Sequence, residues 1–321
     1  MTLTPTEGVR GTMVTIQGSN FTPGGTIAAG GITFAGAGWN TATISIDSSG
    51  NFIAQLVVPN TAAAGSNTVA VTDSGGLGGA AVFTVRSASL SLEPASGVRG
   101  SWVTATGSGF AASNIVTITY AGAAVATAGT DASGNFTVRF QVPTTAGIPS
   151  TNTVTATDNT GVTASATHSV PGASISVSAS EASAGETITV TGTGFPAYTA
   201  VTALTIAGIP VLPVPQPATD ALGSFTANVV VPAAPIGPTI VTATAGGTTA
   251  SVTFTVRAAP VTVATALSTV SDKLVRVWGF DAATQSWKLY DPSAPEVSDL
   301  ASLEKGKGYW IRVTEDCTLI Y

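Results

Sequence analysis

Charged residues are scarce in this chain of 321 residues, where Asp, Glu, Lys and Arg together make up 9%. An ordinary globular protein has about 25%. The formal net charge is −6, and no lysine occurs before Lys273. A chain without a basic cluster has no electrostatic surface for DNA, RNA or anionic lipid. The composition therefore argues against nucleic-acid partners and against binding to a membrane surface.

Histidine and cysteine occur once each, as His168 and Cys317. A zinc site or a Cys/His catalytic pair needs further ligands or partners of these types, and a disulfide needs a second cysteine. We therefore predict no metal, no cofactor and no intramolecular disulfide. A lone cysteine of this kind is expected to be a small buried hydrophobic residue.

Long uninterrupted apolar segments are also missing. The most apolar stretch, residues 229–245, is broken by Pro232, Pro235 and Pro238, which argues against a membrane-spanning helix. Residues 1–4 contain neither a charged n-region nor an apolar h-region, so the sequence predicts no signal peptide. Such a chain would be a processed form, or it would reach its destination without classical secretion.

Glycine and proline are plentiful, with 36 and 18 residues, and 44% of the chain is hydrophobic. Thr, Val, Ala and Ser dominate the remainder. Many β-branched residues between frequent turn formers are typical of short strands. The composition predicts an all-β protein.

Two sequence landmarks recur three times in the same order. The first copy contains Gly8-Val9-Arg10-Gly11-Thr12-Met13-Val14-Thr15-Ile16-Gln17-Gly18-Ser19-Asn20-Phe21, and equivalent segments end at Phe110 and Phe195. The second landmark is an Asp-x-x-Gly-x-Phe segment, which begins at Asp47, Asp131 and Asp220. Landmarks that repeat in phase indicate tandem copies of one structural unit.

Each copy alternates apolar and polar residues, as in Val14-Thr15-Ile16-Gln17. This period of two is typical of a half-buried strand. About seven strands in 85 residues predict an immunoglobulin-like (Ig-like) sandwich. We therefore predict Ig-like domains at residues 1–87, 88–172 and 173–258, followed by a small aromatic-rich β module at 259–321.

The Gly-x-x-Gly-Thr-x-Val-Thr-x-x-Gly-Ser-x-Phe pattern resembles the IPT/TIG-like and related bacterial Ig-like repeats, over roughly residues 2–257. The third copy departs at its start, where Ala182 and Glu186 replace Gly8 and Thr12. The resemblance implies a rigid spacer or binding domain on a cell or particle surface, without catalysis. Its motif residues belong to turns and to the core, so they indicate a fold rather than a ligand.

All four lysines, three of five tryptophans and three of five tyrosines lie in the last 60 residues. We predict a β-hairpin turning at residues 282–285, a short loop or helical turn around 297–303, a final strand pair, and a linker over 261–269. Through its Trp-x-Leu-Tyr-Asp-Pro and Gly-x-Gly-Tyr-Trp-Ile patterns, this segment resembles a module at the C-termini of bacterial surface proteins. That resemblance implies no activity.

Several polar residues are candidate sites. Turns with Asp at the first position and Gly at the fourth invite a calcium interpretation, but each offers one carboxylate where calcium needs six or more oxygens. We interpret them as structural turns: Asp47 and Gly50, Asp131 and Gly134, Asp220 and Gly223. His168 takes the place of Phe83 and Phe254 in the closing strand, which predicts a partly buried packing role.

The terminal module holds the remaining candidates. Asp281, Asp291, Glu296 and Asp299 could form an acid/base pair, but a module of this size rarely builds a catalytic cleft, so we predict no enzyme. Aromatic rings can stack on sugars or anchor a protein contact, and a small domain also needs them for its core. We assign Trp278 and Trp310 to the core, and Trp287, Tyr290 and Tyr309 to a candidate partner or glycan contact.

The leading hypothesis is a non-catalytic, extracellular or cell-surface structural and adhesion protein. Its partners would be copies of itself or other surface proteins, through exposed strand edges or the module. A virion-surface protein is the alternative, favoured by the predicted absence of a signal peptide. A carbohydrate-binding accessory module is the second alternative.

Overall fold

The computed structural model describes residues 1–304 and 306–318, in which strands dominate and helices are very short. The described chain divides into two compact units. The first unit contains Met1–Ala173 and two loop segments, Gly194–Thr199 and Thr219–Ser224, and the second contains the other described residues. Among the described residues, no helix has the length and hydropathy needed to cross a membrane.

The first sandwich has two main sheets, with strand orders β1-β3-β8 and β2-β10-β9-β5-β6, and a separate pair, β4-β7. Its strands are β1 (Thr2–Thr4), β2 (Glu7–Gly8), β3 (Met13–Gly18), β4 (Thr26–Ile27), β5 (Ile32–Phe34), β6 (Ala37–Gly38), β7 (Ile44–Ser45), β8 (Phe52–Val57), β9 (Gly65–Thr72) and β10 (Gly78–Val85). Strand β3 alternates as predicted, because Val14 and Ile16 are fully buried while Met13 and Gln17 are exposed.

The second sandwich has seven main strands, the number expected from the sequence, in sheets β11-β12-β15 and β14-β13-β16-β17. These are β11 (Ser89–Glu93), β12 (Trp102–Ser108), β13 (Ile115–Tyr120), β14 (Ala123–Gly129), β15 (Phe136–Gln141), β16 (Ser150–Asp158) and β17 (Thr163–Val170). Its core includes Val103, Phe110 and Ile118, which have no exposed surface.

The sheets of the third sandwich are β18-β20-β23 and β19-β25-β24-β21-β22. Their strands are β18 (Ser174–Val177), β19 (Glu181–Ser183), β20 (Thr187–Thr193), β21 (Val201–Ile206), β22 (Ile209–Pro210), β23 (Phe225–Val230), β24 (Gly237–Ala245) and β25 (Thr248–Arg257). The predicted all-β fold of tandem Ig-like sandwiches is confirmed. Each pair of sheets lies inside one predicted segment, and the boundaries themselves stay a prediction.

The two sequence landmarks meet in space. The backbone N–H of Phe21 donates to the carbonyl of Gly50 at 3.0 Å, and the Phe21 ring packs edge-on against Phe52 at 5.2 Å. Gly50 has φ +78°, and a Cβ on it would lie 2.5 Å from the Phe21 carbonyl oxygen. This contact explains why the Phe and the Asp-x-x-Gly turn recur together, since each fixes the backbone of the other.

A repeated hydrogen bond joins successive copies within the first compact unit. Ala112 N–H donates to the carbonyl of Arg10, and Ala197 N–H donates to the carbonyl of Arg99, both at 2.8 Å. Beside these bonds, the side chains of Val9 and Val98 pack against the glycines of the Asp-x-x-Gly turns, Gly134 and Gly223 respectively. We call this arrangement the Val-Arg-Gly junction.

The terminal module, in the second unit, pairs β26 with β29 and forms a three-stranded sheet β28-β27-β30. Its elements are β26 (Val261–Thr262), α1 (Val263–Ala266), a 3₁₀ helix (Ser268–Val270), β27 (Leu274–Asp281), β28 (Ser286–Tyr290), a second 3₁₀ helix (Pro295–Val297), β29 (Ser302–Leu303) and β30 (Tyr309–Val313). The predicted hairpin at residues 282–285 is present, and a 3₁₀ helix at Pro295–Val297 reaches the start of the loop or helical turn predicted around 297–303. The predicted final strand pair is wrong, because β29 pairs with β26 and β30 pairs with β27.

The linker predicted over residues 261–269 is wrong. Val263 and Leu267 are fully buried, and Ala266 and Val270 are nearly so, in the hydrophobic cluster of the module. Their spacing of three and four residues puts them on one face of a helical segment. This segment therefore forms part of the module core.

Candidate functional site

The outer face of sheet β28-β27-β30 carries the most prominent exposed aromatic cluster in the module. Strand β27 turns Val277 toward the hydrophobic cluster, so its neighbour Trp278 points to the opposite side. Phe280, two residues after Trp278, lies on the same outer face. Trp310 lies opposite Trp278 and Trp287 lies opposite Phe280, so both of these tryptophans are on the outer face as well. We call these four residues the tryptophan face.

The rings of the tryptophan face contact one another and stay open to solvent. Trp287 is 55% exposed and Trp310 is 72% exposed. Trp287 lies 5.3 Å from Phe280 and 6.1 Å from Trp310, between ring centroids. The three tryptophans line a shallow depression of about 280 Å³. This arrangement offers flat apolar rings with free indole edges, which suits a contact surface.

The structure places several aromatic residues on the side of the sheet opposite to the one predicted for them. Trp310, assigned to the core, is exposed, and Trp278 is half-buried on the same outer face. Tyr290 and Tyr309, assigned to a contact, pack against the hydrophobic cluster on the inner side. The Tyr309 hydroxyl accepts a hydrogen bond from Glu304 N–H at 2.8 Å. The alternation of Val277, Trp278, Gly279 and Phe280 along β27 was the sequence signal that separates the two faces.

The carboxylates of the module serve the fold. Asp291 is buried, and hydrogen bonds from Ser293 and Arg276, the latter at 2.7 Å, lower its pKa to about 2. Hydrogen bonds from the Thr284 side chain lower the pKa of Asp281, and the Leu289 N–H lowers that of Asp299. A general acid working near neutral pH needs a raised pKa. These three groups are shifted in the opposite direction, and Glu296 lies exposed in a 3₁₀ helix.

The Asp-x-x-Gly turns satisfy their own carboxylates. Asp47 accepts from Ser49 and Asn51 N–H, each at 2.8 Å, and the hydrogen bond from Asn51 is the main cause of its lowered pKa. The turns at Asp131 and Asp220 are built the same way, with glycines at Gly134 and Gly223 in the left-handed region. Among the described residues, no cluster of three or more metal-ligating side chains occurs.

His168 and Cys317, the single histidine and the single cysteine, differ in burial. His168 is fully buried, like Phe83, and its Nδ1 lies 3.0 Å from the Tyr120 hydroxyl. Burial lowers the pKa of His168, which favours the neutral ring. Its expected packing role is confirmed, and its burial is complete. Cys317, expected to be buried, is exposed, because it follows β30 outside any sheet.

Comparison with known proteins bears on the sandwiches. Residues 173–256 match the family described as the IPT/TIG domain. The third sandwich is similar to an IPT/TIG domain. The match falls on the copy that departs from the other two at its start, and it covers the two sheets of that sandwich. A search of curated proteins found no significant match.

Several solved structures are similar to parts of the chain or to most of it. One is a tetra-tandem repeat from the extending region of a large adhesion protein, with 19% identity, TM-score 0.24, and coverage of 94% of this chain and 87% of that one. Another is the Escherichia coli adhesin FdeC, with 17% identity, TM-score 0.26, and coverage of 79% and 95%. A third is Bacteroides ovatus SGBP-B in complex with a mixed-linkage heptasaccharide, with 13% identity, TM-score 0.27, and coverage of 96% and 94%. At these values the likeness concerns the fold alone.

Proposed function

We propose that this chain is a non-catalytic extracellular surface protein, in which the Ig-like domains act as spacers and the terminal module attaches to copies of the same protein. The tryptophan face carries this proposal. Large aromatic rings that are open to solvent and contact one another are typical of protein contact surfaces. The lowered pKa values of the module carboxylates support a binding role over an acid/base role.

Adhesion between protein-coated beads tests the attachment. Beads carrying the full chain are expected to adhere to one another, and Trp287→Ala with Trp310→Ala is expected to abolish adhesion. Ile115→Ala, which trims an exposed apolar side chain of the second sandwich, is the matched control and should adhere normally. Wild-type beads that do not adhere, or a double variant that adheres as well as wild type, would contradict the proposal.

The Val-Arg-Gly junction supports the spacer role, because a backbone hydrogen bond beside a packed valine restricts the hinge between the first two sandwiches. Ala112→Pro removes the N–H donor of this bond. The loop tolerates proline, since the first copy has Pro23 at the same position after its Phe. We expect the variant to stay folded but to widen the distance distribution between the two sandwiches.

Spin labels at exposed Thr41 and Thr163, each changed to Cys on a Cys317→Ser background, measure that distribution by electron–electron double resonance. Ser113→Ala, one residue beyond the junction donor, is the control. An unchanged distribution in the Ala112→Pro protein would show that the junction does not stiffen the array.

Carbohydrate binding by the same face is the second candidate function. The shallow depression between the three tryptophans favours it, because sugar rings stack on exposed indoles. A glycan array probed with the full chain tests it. Binding that is lost in the Trp287→Ala and Trp310→Ala proteins would establish this function in place of self-attachment. No feature of the described residues favours the virion-surface alternative.

A further inference from the structure

A second exposed aromatic surface lies in the first compact unit. It is a cleft of about 490 Å³ beside the junction that Arg99 makes with Ala197. Its wall residues include Trp102, Arg139, Tyr198 and Leu222, and Pro94 and Pro171 also line it. Trp102 is 48% exposed and Tyr198 is 66% exposed, so both rings are accessible to a ligand.

The three repeats show that this cleft is not a requirement of the fold. Trp102 occupies the strand position of Met13 and Thr187, and Arg139 that of Gln55 and Asn228. Tyr198, three residues after Phe195, replaces Gly24 and Ser113, and Leu222 replaces Ser49 and Ser133. Each of the four wall side chains is therefore larger than its counterpart around the first junction, which has the same backbone hydrogen bond.

Tyr198 also adopts a costly backbone conformation. Its φ is +54°, in the left-handed region that bulky residues rarely occupy. The first repeat uses glycine at this position, Gly24 with φ +70°. A strained residue whose ring lines a cleft is a signal of function, because the fold alone would favour the glycine.

The cleft has a free cation and few other polar groups. The Arg139 guanidinium lies 5.0 Å from the centre of the Trp102 ring, and within the described parts of the chain no carboxylate forms an ion pair with it. Guanidinium groups bind carboxylates through two parallel hydrogen bonds. The other lining residues are mostly apolar, apart from Ser96 and Ser101, and among the residues that the structure describes no Asn, Asp, Gln or Glu lines the cleft.

We infer that this cleft binds an extended acidic peptide of another protein, with a proline or aliphatic side chain between Trp102 and Tyr198 and a neighbouring carboxylate on Arg139. Aromatic-walled grooves of this kind take up proline-rich and aliphatic segments because the rings offer a large apolar area at low conformational cost. The carboxylate supplies the complementary charge.

Selection of a phage-displayed library of random dodecapeptides on the full chain tests the inference. We expect enriched peptides to carry Asp or Glu next to proline or an aliphatic residue. In titration calorimetry with one such synthetic peptide, Trp102→Met, Arg139→Gln and Tyr198→Gly should each weaken binding by about tenfold or more, the usual loss at an interface hot spot. The first repeat carries these replacement residues at the same positions, so the second and third sandwiches should fold with each of them.

Two further measurements make the test specific. Replacing the acidic residue of the peptide by its amide should weaken binding to the wild type but not to the Arg139→Gln protein. Ile115→Ala should leave the dissociation constant unchanged, whereas a loss of binding in the Trp287→Ala, Trp310→Ala double variant would place the peptide on the tryptophan face and overturn the inference. The inference is overturned if no peptide is enriched, if the enriched peptides lack acidic residues, or if all three cleft variants bind normally. Glycan-array binding that disappears in those variants would also overturn it, in favour of a carbohydrate site.

Discussion

Replacing Gly50 by alanine tests whether the meeting of the two sequence landmarks stabilises the sandwich. The new Cβ would lie 2.5 Å from the carbonyl oxygen of Phe21, whereas ordinary contacts begin at 3.4 Å. That carbonyl cannot move freely, because the N–H of the same residue donates to Gly50. The left-handed conformation costs an alanine about 1–2 kcal/mol, and overpacking against a fixed group adds about 1–3 kcal/mol.

Gly76→Ala is the matched control. Gly76 lies in the same sandwich with φ +82°, but a Cβ there would have no neighbour within 4 Å. The Gly76→Ala variant therefore has the free-energy cost of the left-handed backbone but no steric contact. Loss of the freedom that glycine has in the unfolded chain offsets this cost by about 0.5–1 kcal/mol. The difference between the two variants isolates the Phe21 contact, at about 1–3 kcal/mol.

Amide hydrogen exchange of the full chain, followed by mass spectrometry, measures this difference. A peptide that covers β9 reports the opening of the first sandwich, since Val69 and Val71 lie in its core. Each tenfold acceleration of exchange corresponds to about 1.4 kcal/mol. Gly50→Ala should exchange about 5- to 150-fold faster than Gly76→Ala. Equal rates in the two variants would refute the argument that the contact fixes this glycine.

Three further predictions concern burial and charge. Leu267→Ala should destabilise the module by about 2–5 kcal/mol, measured by exchange of β27, whereas a true linker would tolerate it. The pKa of Asp291 is about 2, below the ordinary 3.8. The contribution of Asp291 to module stability is therefore complete above pH 3.8 and is lost as the pH falls toward 2. Asp291→Asn should lower the melting temperature at pH 7 and flatten that acid dependence. The pKa of His168 is lowered from 6.5, so the unfolded chain binds the extra proton and the second sandwich should lose stability as the pH falls below 6.5. His168→Phe should remove this pH dependence. A pH dependence that persists in this variant would contradict the burial argument.

Much of the architecture was predictable because the repeats display it three times. Phe21, Phe110 and Phe195, with the Asp-x-x-Gly turns, marked the sandwich without any knowledge of its contacts. His168 was placed correctly by its alignment with two buried phenylalanines. In each case the copies served as independent observations of one backbone environment.

The terminal module was less predictable because it occurs once. Its aromatic residues were divided between core and contact without the strand parity of β27, which decides that Trp310 lies outside and Tyr309 inside. The 261–269 segment was assigned to a linker because Pro260 and the small residues after it obscured a short helical period. Cys317 shows the same limit, since its exposure depends on where the last sheet ends.

The same comparison between copies separates residues of the fold from residues of a ligand site. Positions that keep one residue type in all three copies, such as the paired phenylalanines of the turn, are explained in the first two sandwiches by ring contacts inside the sandwich. Positions that share a backbone but differ in side chain, such as Gly24, Ser113 and Tyr198, have no such explanation. Since the backbone conformation is common to all three, the most strained choice, Tyr198, is where selection for something other than stability is expected. A resemblance that depends on shared motif residues therefore identifies the fold of this chain, while its binding specificity has to be sought where the copies disagree.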